Sequence, residues 1–170
     1  MSSDVYDLIV IGAGSGGVRA ARIAAQLGAR VAIVEGRFFG GTCVHVGCVP
    51  KKMFSYAAGF PGLFDLAGDY GFSSATSGDQ DWSTLKANKD KEIARLNAIY
   101  RRILDDAGVT IHEGWARVVD GQSVHVGDTE LKGKRILVAT GGTPWVPEIE
   151  GREHIRISDD LFSLEALPKR

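Results

Sequence analysis

An apolar strand, a glycine turn, an alanine-rich helix and a second apolar strand follow one another over residues 7–35, and few folds accept that order. Asp7–Ile11, DLIVI, is a short β-branched run of the kind buried in parallel sheets. GAGSGG, Gly12–Gly17, follows at once, and VRAARIAAQLG reads as a helix stopped by Gly28. Arg30–Glu35, RVAIVE, is the second strand. Two strands joined by a helical crossover must lie parallel, so this opening predicts an α/β fold.

The glycines have separate tasks in such a unit. Gly12 permits the sharp strand-to-helix turn, Gly14 lets a pyrophosphate approach the backbone, and Gly17 lets helix and strand pack closely. Free N–H groups and the positive end of the helix dipole then favour phosphate oxygens. Glu35 ends the second strand, where its carboxylate can accept bonds from ribose hydroxyls and would repel a 2′-phosphate. The pattern therefore points to FAD or NAD rather than NADP. A glycine turn beside a surface glutamate is the plain alternative, and it leaves the register of all these parts unexplained.

The remainder alternates in the same way. Met53–Ala58 continues a helix, and residues 59–78, rich in glycine, serine and aromatics, read as an irregular connection. Leu85, Ile93, Leu96, Tyr100, Ile103 and Ala107 share a helical face between an Asp81 cap and a Gly108 stop. Lys86, Lys89, Asp90, Lys91 and Arg95 form the opposite, solvated face. Residues 109–120, 123–126 and 129–133 read as strands, KRILVATGG as another, and SDDLFSLEALPKR as the start of a short helix.

Hydrophobic residues make up 44% of the chain and charged ones 24%, with a net charge of -1. That balance argues against nucleic acid and anionic membranes as partners. No apolar run approaches the ~20 residues that span a bilayer, and MSSDVYDLIV lacks the basic start of a signal peptide. A cytoplasmic protein is expected. Persistent structural disulfides are rare there, so a close cysteine pair is more often catalytic, redox-sensing or metal-binding.

Both cysteines, Cys43 and Cys48, lie in GGTCVHVGCVPKK, Gly40–Lys52. Residues five apart in a regular helix have Cα atoms about 8–9 Å apart, whereas a disulfide needs about 4.4–6.8 Å. A bonded pair therefore requires a broken helix, which Gly40, Gly41, Gly47 and Pro50 make feasible. Thr42 is placed as a cap or a ligand hydroxyl. Lys51, Lys52 and a helix N-terminus would favour thiolates. Three readings stand together: unreactive buried thiols, a metal site with His45 as a further ligand, and a redox-active disulfide. The last needs the fewest parts.

GxGSGG, Glu35, GGTCxxxGCVPKK, RLNAIY (Arg95–Tyr100) and ATGG (Ala139–Gly142) occur in this order. The whole chain thereby resembles the N-terminal FAD-binding part of the pyridine nucleotide-disulfide oxidoreductases, and within them the glutathione reductase branch. The lysines after Pro50 are shared by trypanothione reductases and large thioredoxin reductases, while dihydrolipoamide dehydrogenases and mercuric reductases usually have Ser there. The resemblance implies a Rossmann-like FAD/NAD(P)-binding domain over residues 1–170, with a parallel sheet, helices and an antiparallel β-meander, incomplete in its second half.

It also implies roles. Gly12, Gly14, Ser15, Gly16, Gly17 and Glu35 would hold the FAD pyrophosphate and ribose. Thr42, Cys43 and Lys51 would contact the cofactor, with Lys51 close to the flavin ring, and Ala116, Thr140 and Gly141 would line it. Cys48 would be the flavin-proximal thiolate and Cys43 the thiol that attacks glutathione disulfide. Ser15, Arg22 and Tyr100 match substrate positions. Trypanothione reductases have Trp at the position of Arg22 and an acid at that of Arg19, so two arginines suit an anionic substrate. His45 replaces the family's usual Asn, which leaves open either a perturbed thiolate or no effect. Family members use NADPH, form homodimers and carry a second glycine fingerprint, a later Asp segment and a His–Glu pair in an interface domain. These 170 residues hold one fingerprint, so the chain alone is expected not to turn over. The alternatives are a thioredoxin reductase or dihydrolipoamide dehydrogenase relative, or a non-catalytic flavin-binding module.

Overall fold

The computed structural model describes residues 5–73 and 78–168. Four parallel strands, β1 (Leu8–Ile11), β2 (Val31–Glu35), β3 (Thr110–Glu113) and β7 (Ile136–Val138), form a sheet in the order β3-β2-β1-β7. β4 (Ala116–Val118), β5 (Ser123–Val126) and β6 (Thr129–Lys132) form a separate antiparallel meander. Helix α1 (Ser15–Gln26) crosses from β1 to β2. Helices α2 (Gly41–His45), α3 (Cys48–Ala67) and α4 (Trp82–Asp106) lie between β2 and β3, and α5 (Ser158–Leu161) lies in the tail.

The strands are apolar on both faces because both faces are covered. Successive side chains alternate across a sheet. Val10, Val31 and Ile33 therefore pack with Val18 and Ala21 of α1 and Leu104 of α4. Ile9, Ile11, Ala32 and Val34 turn the other way and pack with Val124, Val126 and Leu131 of the meander. The result is three layers, helices on parallel sheet on meander, and it bears out the α/β reading.

Helix α4 begins as expected, with Asp81 accepting the backbone N–H bonds of Ser83 and Thr84. Those bonds and the Ser83 and Thr84 hydroxyls hold the Asp81 carboxyl down at about 2. Two other expectations need correction. Residues 59–67 continue α3 through Pro61 instead of forming an irregular loop, while 74–77 of that stretch lie outside the described residues. Gly59, Pro61 and Gly62 are poor helix residues, but extending an existing helix gains one bond per residue once its costly nucleus is in place. Lys89 is buried, not solvated. Its Nζ donates to the Phe162 carbonyl at 2.8 Å and pairs with Asp90 at 2.5 Å.

Lys89 belongs to a clasp that the charge pattern concealed. Trp82 Nε1 donates to the Leu164 carbonyl at 2.9 Å, Lys86 pairs with Glu165 at 2.7 Å, and Phe54 of α3 lies against both Trp82 and Phe162. The residues after α5 thus tie α3 to α4. A buried cation needs such partners, because an unpaired one is costly to desolvate. No helix among the described residues is long and apolar enough to cross a membrane.

Candidate functional site

Parallel strands end at one edge, and ligands of such sheets bind where the strand order reverses. Here the reversal lies between β1 and β7, with β1 continuing toward β2 on its other side. Four strand ends are stitched together there. The Gly12 N–H donates to Val34 O, Ala139 N–H to Ile11 O, Gly114 N–H to Glu35 O and Gly40 N–H to Ala13 O, each at 2.8 Å. Gly12–Gly17, Glu35, Thr42, Ala116, Thr140 and Gly141, far apart in the chain, all lie on or just beyond these ends or on the adjoining helix α2.

The glycine roles are now visible as distances. Gly12 has φ +102, and a Cβ on it would meet the Ala139 carbonyl oxygen at 2.4 Å. A Cβ on Gly17 would lie 1.8 Å from the Gly12 carbonyl oxygen. Gly14 is different: its nearest neighbour would be the Gly41 Cα at 3.8 Å, and around Gly16 nothing lies within 4 Å. Open space thus sits above the start of α1, whose cap is Gly14 with no side-chain bond and no acid in the first turn. The N–H groups there are left for a ligand, which fits a diphosphate. Gly41 (φ +62) brings α2 against this cradle, since a Cβ on it would meet the Gly14 Cα at 2.7 Å.

Glu35 has a task that its position in the motif does not reveal. Oε2 accepts from Ala13 N–H at 2.6 Å, and Oε1 accepts from Arg37 and Phe38 N–H at 2.7 and 3.3 Å. The carboxylate thereby holds the cradle loop and the loop after β2. A carboxylate has about four acceptor sites, so one remains on Oε2 for a ribose hydroxyl.

The cysteine segment breaks where expected. α2 ends at His45, α3 begins at Cys48, and Gly47 between them would place a Cβ 2.8 Å from the Thr42 carbonyl oxygen and 3.3 Å from the Cys43 Cα. Thr42 is not the cap of α2, as the sequence allowed; Gly40 is, and Thr42 is exposed in the first turn. Both cysteines are free thiols, Cys48 exposed and Cys43 half-buried.

The thiols face each other. A side-chain hydrogen bond to Cys48 pushes the Cys43 thiol above its ordinary value, and burial adds to this. The Lys51 charge acts in the opposite sense and is the weakest influence. In the dithiol form the neighbouring sulfur thus opposes the thiolate at Cys43. Replacing the partner should remove that opposition. Cys48→Ala is expected to move the rise in Cys43 alkylation by iodoacetamide to lower pH; an unchanged pH profile would show that Cys48 does not hold the proton.

His45 is held by Phe38, Phe39 and Asn97. Its ring stacks on Phe38 with centroids 3.9 Å apart, and Nε2 lies 3.1 Å from both the Phe39 carbonyl and the Asn97 side-chain amide. Burial pushes its pKa down, with the Phe39 carbonyl and Glu35 opposing, so the ring is neutral near pH 7. Among the described residues no three His, Cys, Asp or Glu side chains come together as metal ligands.

Tyr100 lies beside Gly40, where a Cβ would touch its ring at 3.4 Å, and it borders the core as its place on the apolar stripe implied. Arg22 sits on α1 with a buried Nε that has no partner among the described residues. Sequence reasoning gave no role to Asn97, although it lies inside the RLNAIY motif, nor to Phe38 and Gly114, which no motif marks.

A family model of pyridine nucleotide-disulphide oxidoreductases matches residues 6–170. Glutathione reductase of Burkholderia cepacia is 47% identical over 165 residues, covering 97% of this chain and 36% of the relative. That of Nostoc sp. is 43% identical, covering 96% and 36%. Among solved structures, the Cu(II) complex of the HOCl-induced flavoprotein disulfide reductase RclA from Escherichia coli aligns with a TM-score of 0.77 and 26% identity, covering 95% of this chain and 34% of that one. The chain thus spans about a third of the length of these relatives. A glycine cradle at the strand ends, a neighbouring pair of thiols and this match along nearly every residue have one common explanation: the chain belongs to the pyridine nucleotide-disulphide oxidoreductase family.

Proposed function

We propose that these residues form the flavin and dithiol part of a glutathione reductase. The observation that carries the reading is the apposition of Cys43 and Cys48 on a helix pair whose first turn abuts the open cradle at Gly14. Gly12, Gly14, Ser15, Gly16, Gly17 and Glu35 would hold FAD, with Thr42, Lys51, Ala116, Thr140 and Gly141 around it. When bound, FAD supplies the electron pair, drawn from NADPH, that returns the disulfide to the dithiol.

The chain's own chemistry is thiol–disulfide exchange. The Cys43 thiolate attacks one sulfur of glutathione disulfide; that S–S bond breaks, one glutathione leaves as a thiolate and takes a proton. The Cys48 thiolate then attacks the Cys43 sulfur and expels the second glutathione. Two electrons have passed to substrate, and the Cys43–Cys48 disulfide has formed. Deprotonating Cys43 requires separating its proton from Cys48, so an approaching substrate must compete with that hydrogen bond. The Arg22 guanidinium, Tyr100 and Ser15 would bind the anionic substrate. The complete cycle, as a homodimer using NADPH, is assigned to the whole protein.

The order of attack can be tested without flavin. Reduced Cys48→Ser mixed with glutathione disulfide is expected to stop at a mixed disulfide on Cys43, seen as one added glutathionyl mass. Cys43→Ser should add far less, and the wild-type chain should instead release two glutathiones and close its own disulfide. Equal labelling of both variants, or none of either, would refute the assignment and favour a flavin-binding module without exchange chemistry.

A further inference from the structure

We propose that His45 is a positioning residue for the cysteine pair, fixing the rotation of α2 and with it the direction of the Cys43 sulfur. The inference rests on the dithiol reading above. A disulfide is demanding in angle as well as distance, and α2 is only five residues long. A helix that short does not hold itself in water, because it never recovers the cost of its nucleus. Its orientation must come from outside.

Two side chains of α2 reach outward into structure. Val44 is buried, and its methyl groups lie where a Cβ on Gly40 would be. An apolar contact of that kind holds the helix down but is indifferent to direction. His45 supplies direction. Phe38 stacks on its face, while Nε2 meets the Phe39 carbonyl and the Asn97 amide. Phe38 and Phe39 belong to the loop after β2 that Glu35 anchors through the Phe38 N–H. Asn97 lies on α4, which runs past this site. One ring thus locks α2 to two elements that the core already fixes.

The chemistry of Nε2 defines the arrangement. A carbonyl only accepts, so Nε2 must carry the proton to bond Phe39. Asn97 turns its Nδ2 to the same nitrogen, so Nε2 bonds Phe39 when it carries the proton and accepts from Asn97 when it does not, with the Phe38 stack kept in both tautomers. Cys43 lies two positions before this lock and Cys48 three positions after it. Releasing the lock lets α2 turn, and the two sulfurs then meet less often.

The test reads the thiol–disulfide equilibrium of the full chain in glutathione redox buffers, with the disulfide fraction trapped by acid and measured by mass after alkylation. His45→Ala and Asn97→Ala are each expected to shift the equilibrium toward the dithiol by about tenfold, the scale of losing hydrogen bonds that hold a geometry. That corresponds to about 30 mV for a two-electron couple. His45→Gln, whose amide N–H can replace Nε2–H, should stay within about twofold of wild type. Leu131→Ala, in the meander on the far face of the sheet, should lower thermal stability without moving the equilibrium. If His45→Ala does not fold, Asn97→Ala decides. Variants that lose stability while keeping the wild-type equilibrium would overturn the positioning role and leave the exchange chemistry standing. A wild-type chain that never closes its disulfide would overturn both.

Discussion

Gly17→Ala is expected to destabilise the fold by about 3 kcal/mol, the upper end of what overpacking costs. The added Cβ would sit 1.8 Å from the Gly12 carbonyl oxygen, inside a backbone atom that cannot move aside. Helix α1 would have to lift from β1, and Val18 and Ala21 would leave the core they share with Val10 and Ile33. Overpacking costs typically about 1–3 kcal/mol, a large share of the total stability of about 5–15 kcal/mol for a domain. Gly16→Ala is the matched comparison. It meets nothing within 4 Å, and alanine is better than glycine in a helix by about 1 kcal/mol. Urea unfolding followed by circular dichroism should place Gly16→Ala at or above the wild-type midpoint and Gly17→Ala far below it. Flavin binding should weaken in Gly16→Ala all the same, because its methyl group enters the open cradle. Equal midpoints for the two variants would refute the packing account of Gly17.

Gly47→Ala should act in the opposite way, sparing the fold and disabling the pair. Its Cβ would lie 2.8 Å from the Thr42 carbonyl oxygen and 3.3 Å from the Cys43 Cα. The link between α2 and α3 must open to admit it, carrying Cys43 away from Cys48. The sheet and its two packed faces lie elsewhere, so the far-ultraviolet spectrum should be unchanged. A misplacement of about 1 Å between reacting groups costs on the order of 100-fold, and disulfide closure by oxidised glutathione should slow by about that factor. A variant that closes at the wild-type rate would show that Gly47 is not what brings the sulfurs together.

Much of this site is legible in the order of residues because its parts are local. A glycine that admits a turn, an aspartate that caps α4 and a helix that must break between Cys43 and Cys48 each depend on a few neighbours in the chain. The errors came where distant partners decide. Lys89 belongs to a charged helix face by spacing, yet the Phe162 carbonyl, far along the chain, draws its ammonium inside. Residues 59–67 carry helix-breaking types, yet they extend α3. Glu35 matches a ribose ligand by position, and the structure adds its grip on three backbone N–H groups.

The amino-acid order by itself determined the α/β class, the glycine cradle and the broken helix that carries two thiols, since each follows from local backbone sterics and periodicity. Only the tertiary structure decided that the ends of β1, β2, β3 and β7 share one edge, and that α2 packs its first turn against the cradle at Gly14. It alone decided that His45 meets Phe38, Phe39 and Asn97. Those outcomes depend on contacts across long stretches of chain, and such contacts are set by which apolar faces close over the sheet rather than by any neighbouring residue.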